Sequence, residues 1–417
     1  MALTTTEPLR RELERALPDR PFAVELWDGT RVEPTRTGGP IFSARSPRAL
    51  AHALRAPGQL GVGRAYVAGE LDVDDIDLAI DLLEEWKPPP LDARTRARLA
   101  LAALRACGPM RPPRTPRAEL RPRGARRSRE RDARAVRHHY DLPPEFFALF
   151  LDSSMTYSCA VFDPERRWRG EVVHDAAAAS ADETLDRAQE RKLELICRKL
   201  DLAESERVLD VGCGWGSFPA WAAARHGVEV VGITLSEPQA RVARERAAEA
   251  GVGDRVEIRV MDYRDLAGER FDAIASIGMV EHVGAERIDL YAERLAGLLG
   301  EGGRLLNHGI ARLRHTDPEA GPFSERYVFP DADPLHLSRV LLALERAGFE
   351  TEHVDGLRDD YAETLRHWAR RLDEGLDDAV RLAGPERVRV WRLYLRAARN
   401  GFETRFTTIY QVLARRA

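Results

Sequence analysis

At 417 residues the chain exceeds the roughly 250–300 at which a single hydrophobic core stops growing, so two domains are expected. A hydrophobic fraction of 44% and a charged fraction of 32% exclude a disordered chain, and no apolar run approaches the roughly 18 residues of a membrane span. A net charge of −4 excludes a nucleic-acid footprint over the chain as a whole.

The first fifteen residues are polar and carry Glu7, Arg10, Arg11 and Glu12, unlike a secretory signal, so a cytoplasmic protein is expected. Phe22 to Trp27 reads as a strand ending in an Asp28-Gly29 turn. Leu50, Leu54 and Leu60 belong to helical patterns broken at Pro57-Gly58. Ile76 to Trp86 reads as an amphipathic helix, stopped by Pro88-Pro89-Pro90. These elements predict a small α+β domain over residues 1–110, with no catalytic residue visible in it.

Residues 111–137 are Pro-broken and basic. Eleven arginines, from Arg111 through Arg121, Arg123, Arg126 and Arg127 to Arg137, face only Glu119, Glu130 and Asp132. Three readings stand: a solvated linker, attraction to an anionic lipid surface, or phosphate contacts to nucleic acid. The absence of aromatic residues disfavours a stacking platform for single strands.

From about residue 185 the pattern alternates. Strands are predicted at Val208 to Val211, Val228 to Ile233, Val256 to Val260, Phe271 to Ile277 and Arg304 to His308. Helices are predicted at Phe218 to His226, Arg241 to Ala250 and Tyr291 to Leu299. Alternation at this spacing predicts a doubly wound, mostly parallel sheet over a domain at 138–417, with its site at the carboxyl ends of the strands. Cys107, Cys159, Cys197 and Cys213 form no CxxC pair and have no zinc-ligand spacing, so neither a disulfide framework nor a metal site is expected.

The chemistry begins at Val208-Leu-Asp-Val-Gly-Cys-Gly-Trp-Gly-Ser217, a strand running into a glycine turn and then a helix. A dinucleotide site would use G-x-G-x-x-G and an acidic residue after the second strand. Here Gly212, Gly214 and Gly216 are spaced G-x-G-x-G, Asp210 precedes the loop, and the second strand ends Gly232-Ile-Thr-Leu-Ser236 without a carboxylate. That pattern belongs to methyltransferases that bind S-adenosylmethionine, a ligand with no phosphate to cradle. The fold expected is therefore a Rossmann-like class I methyltransferase domain beside the smaller α+β domain.

Motifs around the loop add a resemblance. His139-Tyr-Asp-Leu142, Ser154-Met-Thr-Tyr-Ser-Cys159, Gln189-Glu-Arg-Lys192, Glu281-His-Val-Gly284, Tyr327-Val-Phe-Pro330 and the Tyr-x-x-Thr-Leu-x-x-Trp run at Tyr361 resemble the cyclopropane-fatty-acyl-phospholipid synthase family, which includes the mycolic acid cyclopropane synthases. The resemblance covers roughly residues 135–417 and, more weakly, Gly63 to Asp75. It implies that Tyr157 and Ser158 cover the methionine end of the cofactor. The Gly212 loop is the backbone cradle, Thr234, Leu235 and Gln239 lie on the ribose and adenine side, and Tyr263 and Arg264 flank the adenine. It further implies a bound bicarbonate acting as base, held by Cys159, Glu281, His308, Tyr361 and the backbone of Ile310. Taken singly, a Cys is more often a small core residue and a His or Tyr simply hydrogen-bonded.

The implied reaction is addition of a methyl or methylene carbon to the cis double bond of an unsaturated acyl chain of phospholipid. It passes through a carbocation and gives a cyclopropane or a methylene-branched precursor of tuberculostearate type. The expected setting is the inner face of the membrane, as a peripheral protein and a homodimer, with a separate reductase consuming a methylene product. Three departures border the acyl site: Pro143-Pro144 in place of Gly-Asn, His308-Gly309-Ile310 in place of His-Thr-Ile, and an insertion-like stretch from Pro164 to Ala181. Alternatives are an RNA or small-molecule methyltransferase, against which Gly278-Met-Val-Glu281 stands where an amine-methylation motif would lie, and a non-catalytic cofactor-binding subunit.

Overall fold

The computed structural model describes residues 6–56, 58–108, 111–120, 128–140, 142–162, 184–314 and 321–417. Pro57, Asp141, the arginines Arg121, Arg123, Arg126 and Arg127, and the stretch from Pro164 to Ala181 lie outside the described residues. By compactness the chain forms two units.

The first unit joins Met1–Arg121 to two later segments, Gly321–Val328 and Ala383–Asn400. Its small sheet has the order β2-β1-β3-β4, with β1 at Ala23–Glu25, β2 at Arg31–Val32, β3 at Ile41–Ala44 and β4 at Leu71–Val73. The expected turn closes β1 on β2: Gly29 takes φ +83° and the Asp28 carboxylate accepts from the Thr30 N–H at 3.1 Å. Leu9, Leu26, Ala49, Ala65, Ala102 and Ala106 form its core.

The sequence boundary at 111–137 treated this unit as one continuous stretch, and the structure differs. The fully buried Glu119 carboxylate takes two hydrogen bonds from Arg64, at 2.7 and 2.6 Å, and one from the Tyr327 hydroxyl at 3.0 Å. Arg389 bonds Asp72 at 2.6 Å and the Tyr66 carbonyl at 3.1 Å. Buried charges need such partners, and here the partners come from the far end of the chain.

The second unit is built on a sheet ordered β11-β12-β9-β8-β5-β6-β7. Its strands are β5 (Arg207–Val211), β6 (Glu229–Thr234), β7 (Val256–Val260), β8 (Phe271–Ile277), β9 (Leu299–Arg312), β11 (Phe349–Gly356) and β12 (Thr407–Arg416), and a short β10 (Leu335–His336) pairs with β9. Pairs from β7 to β9 are parallel, whereas β12 runs antiparallel between β9 and β11. Strand order reverses between β5 and β8, which opens the crevice where such sheets bind ligands. Buried Leu209, Val211, Ile274, Leu305 and Tyr291 pack one side of the sheet, and Val208, Val230, Ala273, Ile196 and Phe218 the other.

Three boundaries moved, the helix expected from Tyr291 starting already at Ile288. The helix expected from Arg241 begins at Glu237, because the Ser236 side chain caps it by accepting from Gln239 N and Pro238 suits its first turn. The fifth strand, expected from Arg304, runs from Leu299, which pairs with Phe271; Gly300 to Gly303, expected only to end the preceding helix, are already part of the strand across an irregularity before the Ala273–Arg304 pair. Among the described residues no helix is long and apolar enough to cross a membrane.

Candidate active site

At the carboxyl ends of β5, β6 and β8 a cavity is lined by Asp210, Gly212, Gly214, Thr234, Leu235, Gln239, Tyr263, Arg264, Tyr157 and Ser158. Ten of the eleven residues predicted for the cofactor thus converge. Gly212 and Gly214 take φ +85° and +53°, and a Cβ on Gly214 would project into open space. Side chains larger than hydrogen are penalised at both angles, so the loop presents bare backbone to the cavity. Gly216 is the exception. A Cβ there would lie 2.7 Å from the Ala243 Cβ, so this glycine serves helix packing, outside the cavity lining.

The wall opposite the glycine loop is held by one helix, Leu185–Lys199, capped by the Thr184 side chain. Gln189, wholly buried, donates to the carbonyls of Thr156 and Ser158 at 3.3 and 2.9 Å. Lys192, one turn on, donates to Ser158 Oγ at 3.0 Å. This pair fixes the segment Met155–Cys159. Tyr157 stacks on Trp368 with centroids 5.1 Å apart and lies edge-on to Trp215, Tyr140 and Phe147, an aromatic wall suited to a cationic ligand.

Beyond that wall the predicted base residues come from four segments. Cys159 is fully buried, with Sγ 3.1 Å from the Ala160 carbonyl and 3.6 Å from that of Leu357. The Leu357 carbonyl also accepts from the Tyr361 N–H at 3.0 Å, so Cys159 and Tyr361 meet at the start of helix Arg358–Glu374. That helix also holds the Cys159 segment by side chains: Thr364 Oγ1 accepts from Ala160 N at 3.0 Å and Asp360 from Phe162 N at 2.8 Å. The Leu357 N–H in turn bonds Ile409, which stands opposite Ile310 across β12 and β9. Glu281 lies on the short helix Val280–Val283 after β8, against bare Gly309: a Cβ there would sit 3.2 Å from Glu281 Oε2 and 2.1 Å from Val280 Cγ1.

Burial dominates the electrostatics. It pushes the Glu281 carboxyl up to about 7, against the pull of the backbone N–H groups of Glu281 and Ile310. Burial likewise raises Asp210 to about 7, although Lys192 draws it down. Lys192 is itself lowered by burial to about 8, with Asp152, Cys159 and Asp210 opposing. Burial, then the charges of Lys192 and Lys199, hold His308 well below the usual imidazole range. Asp210 Oδ1, Glu281 Oε2 and His308 Nε2 are buried and have no hydrogen-bond partner among the described residues. Each such atom costs about 1–3 kcal/mol unless a ligand or water meets it.

Lys192 and Asp262, both on the cavity wall, were not assigned a role from sequence. Lys192 closes the Gln189-Glu-Arg-Lys192 motif, and Asp262 follows the third strand, where a carboxylate can reach a ligand. Burial alone would raise Asp262, but hydrogen bonds from Arg264 hold it below the usual carboxylate range.

The geometry has counterparts. The family model for mycolic acid cyclopropane synthetase matches residues 127–412. The chain is 37% identical to "Probable fatty acid methyltransferase Rv3720" of Mycobacterium tuberculosis, over 97% of this chain and 93% of that protein. It is 30% identical to the tuberculostearic acid methyltransferase UfaA1 of the same organism, over 99% and 91%. Among solved structures, mycolic acid cyclopropane synthase CmaA1 complexed with SAH and CTAB superposes with a TM-score of 0.61 at 29% identity, over 68% of this chain and 98% of that one.

Proposed function

The chain belongs to the mycolic acid cyclopropane synthetase family, and from that premise we propose that it adds a one-carbon unit to the cis double bond of an unsaturated fatty acyl chain of phospholipid. Membership makes it an S-adenosylmethionine-dependent methyltransferase of fatty acyl chains with the class I fold. The phospholipid substrate, the bicarbonate base and the product belong to the proposal. One observation carries it: Glu281 Oε2 and His308 Nε2 lie buried and unpartnered beside a cofactor-sized crevice that ends in aromatic rings.

Both ligands fit the residues present. Unsatisfied Asp210 Oδ1 and the bare loop at Gly212 and Gly214 suit the cofactor, and Tyr157, Trp215 and Tyr140 offer faces to its sulfonium end. The Tyr361 hydroxyl and a Glu281 carboxyl raised to about 7, itself held by the Ile310 N–H, make a donor set suited to a small anion. When bound, the cofactor supplies an electrophilic methyl group and the anion a proton acceptor.

An alkene has no proton to lose before attack, so the chain's task at that stage is positioning and exclusion of water. The segment Met155–Cys159, clamped by Gln189 and Lys192, does the first. Phe146, Phe147, Phe150 and Trp368, each fully buried, do the second. Positive charge then develops on the acyl chain, and the rings of Tyr157, Trp368 and Tyr361 stabilise it. Proton loss from the added methyl group closes a cyclopropane, and a hydride shift before that loss leaves an exocyclic methylene. We favour the methylene product, in keeping with the likeness to the tuberculostearic acid methyltransferase. Mass spectrometry and NMR of lipids from a host expressing this gene alone test it; unchanged acyl chains would contradict it.

The acyl chain is read as presented at a membrane surface, with the cationic 111–137 stretch aiding contact. Such attraction is screened within about 8 Å at physiological salt, so activity on anionic vesicles is expected to fall as salt rises. Activity indifferent to salt would reduce the stretch to a spacer.

A further inference from the structure

We propose that Lys199 and Gln411 are positioning residues that fix His308 as the tautomer with its proton on Nε2, making it a hydrogen-bond donor rather than a base. The inference rests on the base-site reading above for what His308 donates to, but not for the tautomer itself.

The assignment follows from a row of side chains crossing three strands. In register, Asp355 of β11 stands opposite Gln411 of β12, and Gln411 opposite His308 of β9. Lys199, in the last turn of helix Leu185–Lys199, reaches this row: its Nζ lies 2.7 Å from Gln411 Oε1 and 3.3 Å from Asp355 Oδ2. Gln411 Nε2 lies 3.0 Å from His308 Nδ1, and both Gln411 and His308 are fully buried.

Only one proton pattern satisfies the row. An ammonium donates and never accepts, so the Gln411 oxygen must face Lys199. Its NH₂ group then faces His308, and Nδ1 must be the acceptor. A neutral imidazole that accepts at Nδ1 carries its hydrogen on Nε2. Asp355 Oδ2, 3.3 Å from Lys199 Nζ, ion-pairs the ammonium and holds it against the amide oxygen, which keeps the amide from turning over. Burial of His308 beside two lysines agrees, since it disfavours an imidazolium. The ring nitrogen without a partner among the described residues, Nε2, is therefore an N–H. It is suited to an anion and unsuited to taking a proton, so proton removal falls to another group.

Selective ¹⁵N-histidine labelling reads this directly, with His308 assigned by the signal lost in His308→Gln. In the parent protein, without substrate, Nδ1 is expected bare and Nε2 protonated from about pH 6 to about pH 9. Gln411→Glu puts an acceptor opposite Nδ1 and should move the proton there. With it, kcat should fall about 10–100-fold while cofactor affinity stays within about twofold. Lys199→Met should give mixed tautomers and a smaller loss. A proton on Nδ1 in the parent overturns the proposal, as does a switched tautomer with unchanged kcat. A parent protein that methylates no alkene would sink the proposed function instead and leave the tautomer to the NMR result.

Discussion

The cofactor side and the proposed base side of this site are built in opposite ways. The first centres on main chain from one local run, to which other segments add side chains: Val208 to Ser217 turns on Gly212 and Gly214 and hands over to a helix. The second is side chain, gathered from Cys159, Glu281, His308 and Tyr361 across some 200 residues of sequence, and it leaves Glu281 Oε2 and His308 Nε2 unsatisfied. A ligand held by backbone tolerates much change in the side chains around it. Chemistry performed by desolvated side chains does not. Variants on the two sides should therefore separate binding from turnover.

The sharpest separation is expected at Glu281. Glu281→Gln should lower turnover by about 1,000-fold or more, in the range seen when a group handling the proton is lost, with cofactor affinity within about threefold. Calorimetric titration alongside steady-state kinetics checks both halves. Loss of affinity would move Glu281 to the cofactor side, and near-normal turnover would remove it from the base side.

The reverse pattern is expected at the loop. Gly214→Val places a branched side chain in the ligand's space at φ +53°, and Gly212→Val does so at φ +85°. Either should weaken cofactor binding by about 100-fold or more, as strain of a few kcal/mol adds to lost space. Unchanged affinity would mean the cofactor is held elsewhere.

The same contrast explains what could be read before the fold was known. A backbone site has a short signature, so the glycine spacing and Asp210 located the cavity, and only Gly216 went astray, because packing against Ala243 and ligand approach both demand glycine. The base residues came from resemblance alone. Nothing local links Cys159 to Leu357, or His308 to Gln411; the links are made by β12 running antiparallel into the sheet, and no pattern in Thr407 to Arg416 announced that. The later segments of the first unit were hidden for the same reason, since Glu119 finds Tyr327 only after folding.

A smaller effect tests how tightly the base side is packed. Gly309→Thr puts in the residue that the family resemblance implies here, yet a Cβ meets Val280 Cγ1 at 2.1 Å and Glu281 Oε2 at 3.2 Å. It should lower kcat by about 10-fold by displacing Glu281, and Val280→Ala should recover part of the loss. A single variant with full activity would show that Glu281 has room to spare.

The smallest effect is on stability. The Glu281 carboxyl sits at about 7 in the fold against 4.5 when solvated. Below 4.5 both states are protonated and nothing is lost; as pH rises toward 7 the unfolded chain ionises first, and the fold is destabilised by the buried carboxyl. Glu281→Gln should therefore raise Tm by a few °C at about pH 8 and change it little at about pH 4.5. An equal shift at both would mean the carboxyl is not desolvated.

The central claim is that methyl transfer to carbon is followed by removal of a proton from the added carbon. Purified protein, cofactor carrying a trideuterated methyl group, and vesicles of a cis-monounsaturated phospholipid test it in one mass spectrum of the acyl chains. Both a cyclopropane and an exocyclic methylene require that two of the three deuterons be retained. Retention of all three, or label found anywhere but the acyl carbons, would contradict it.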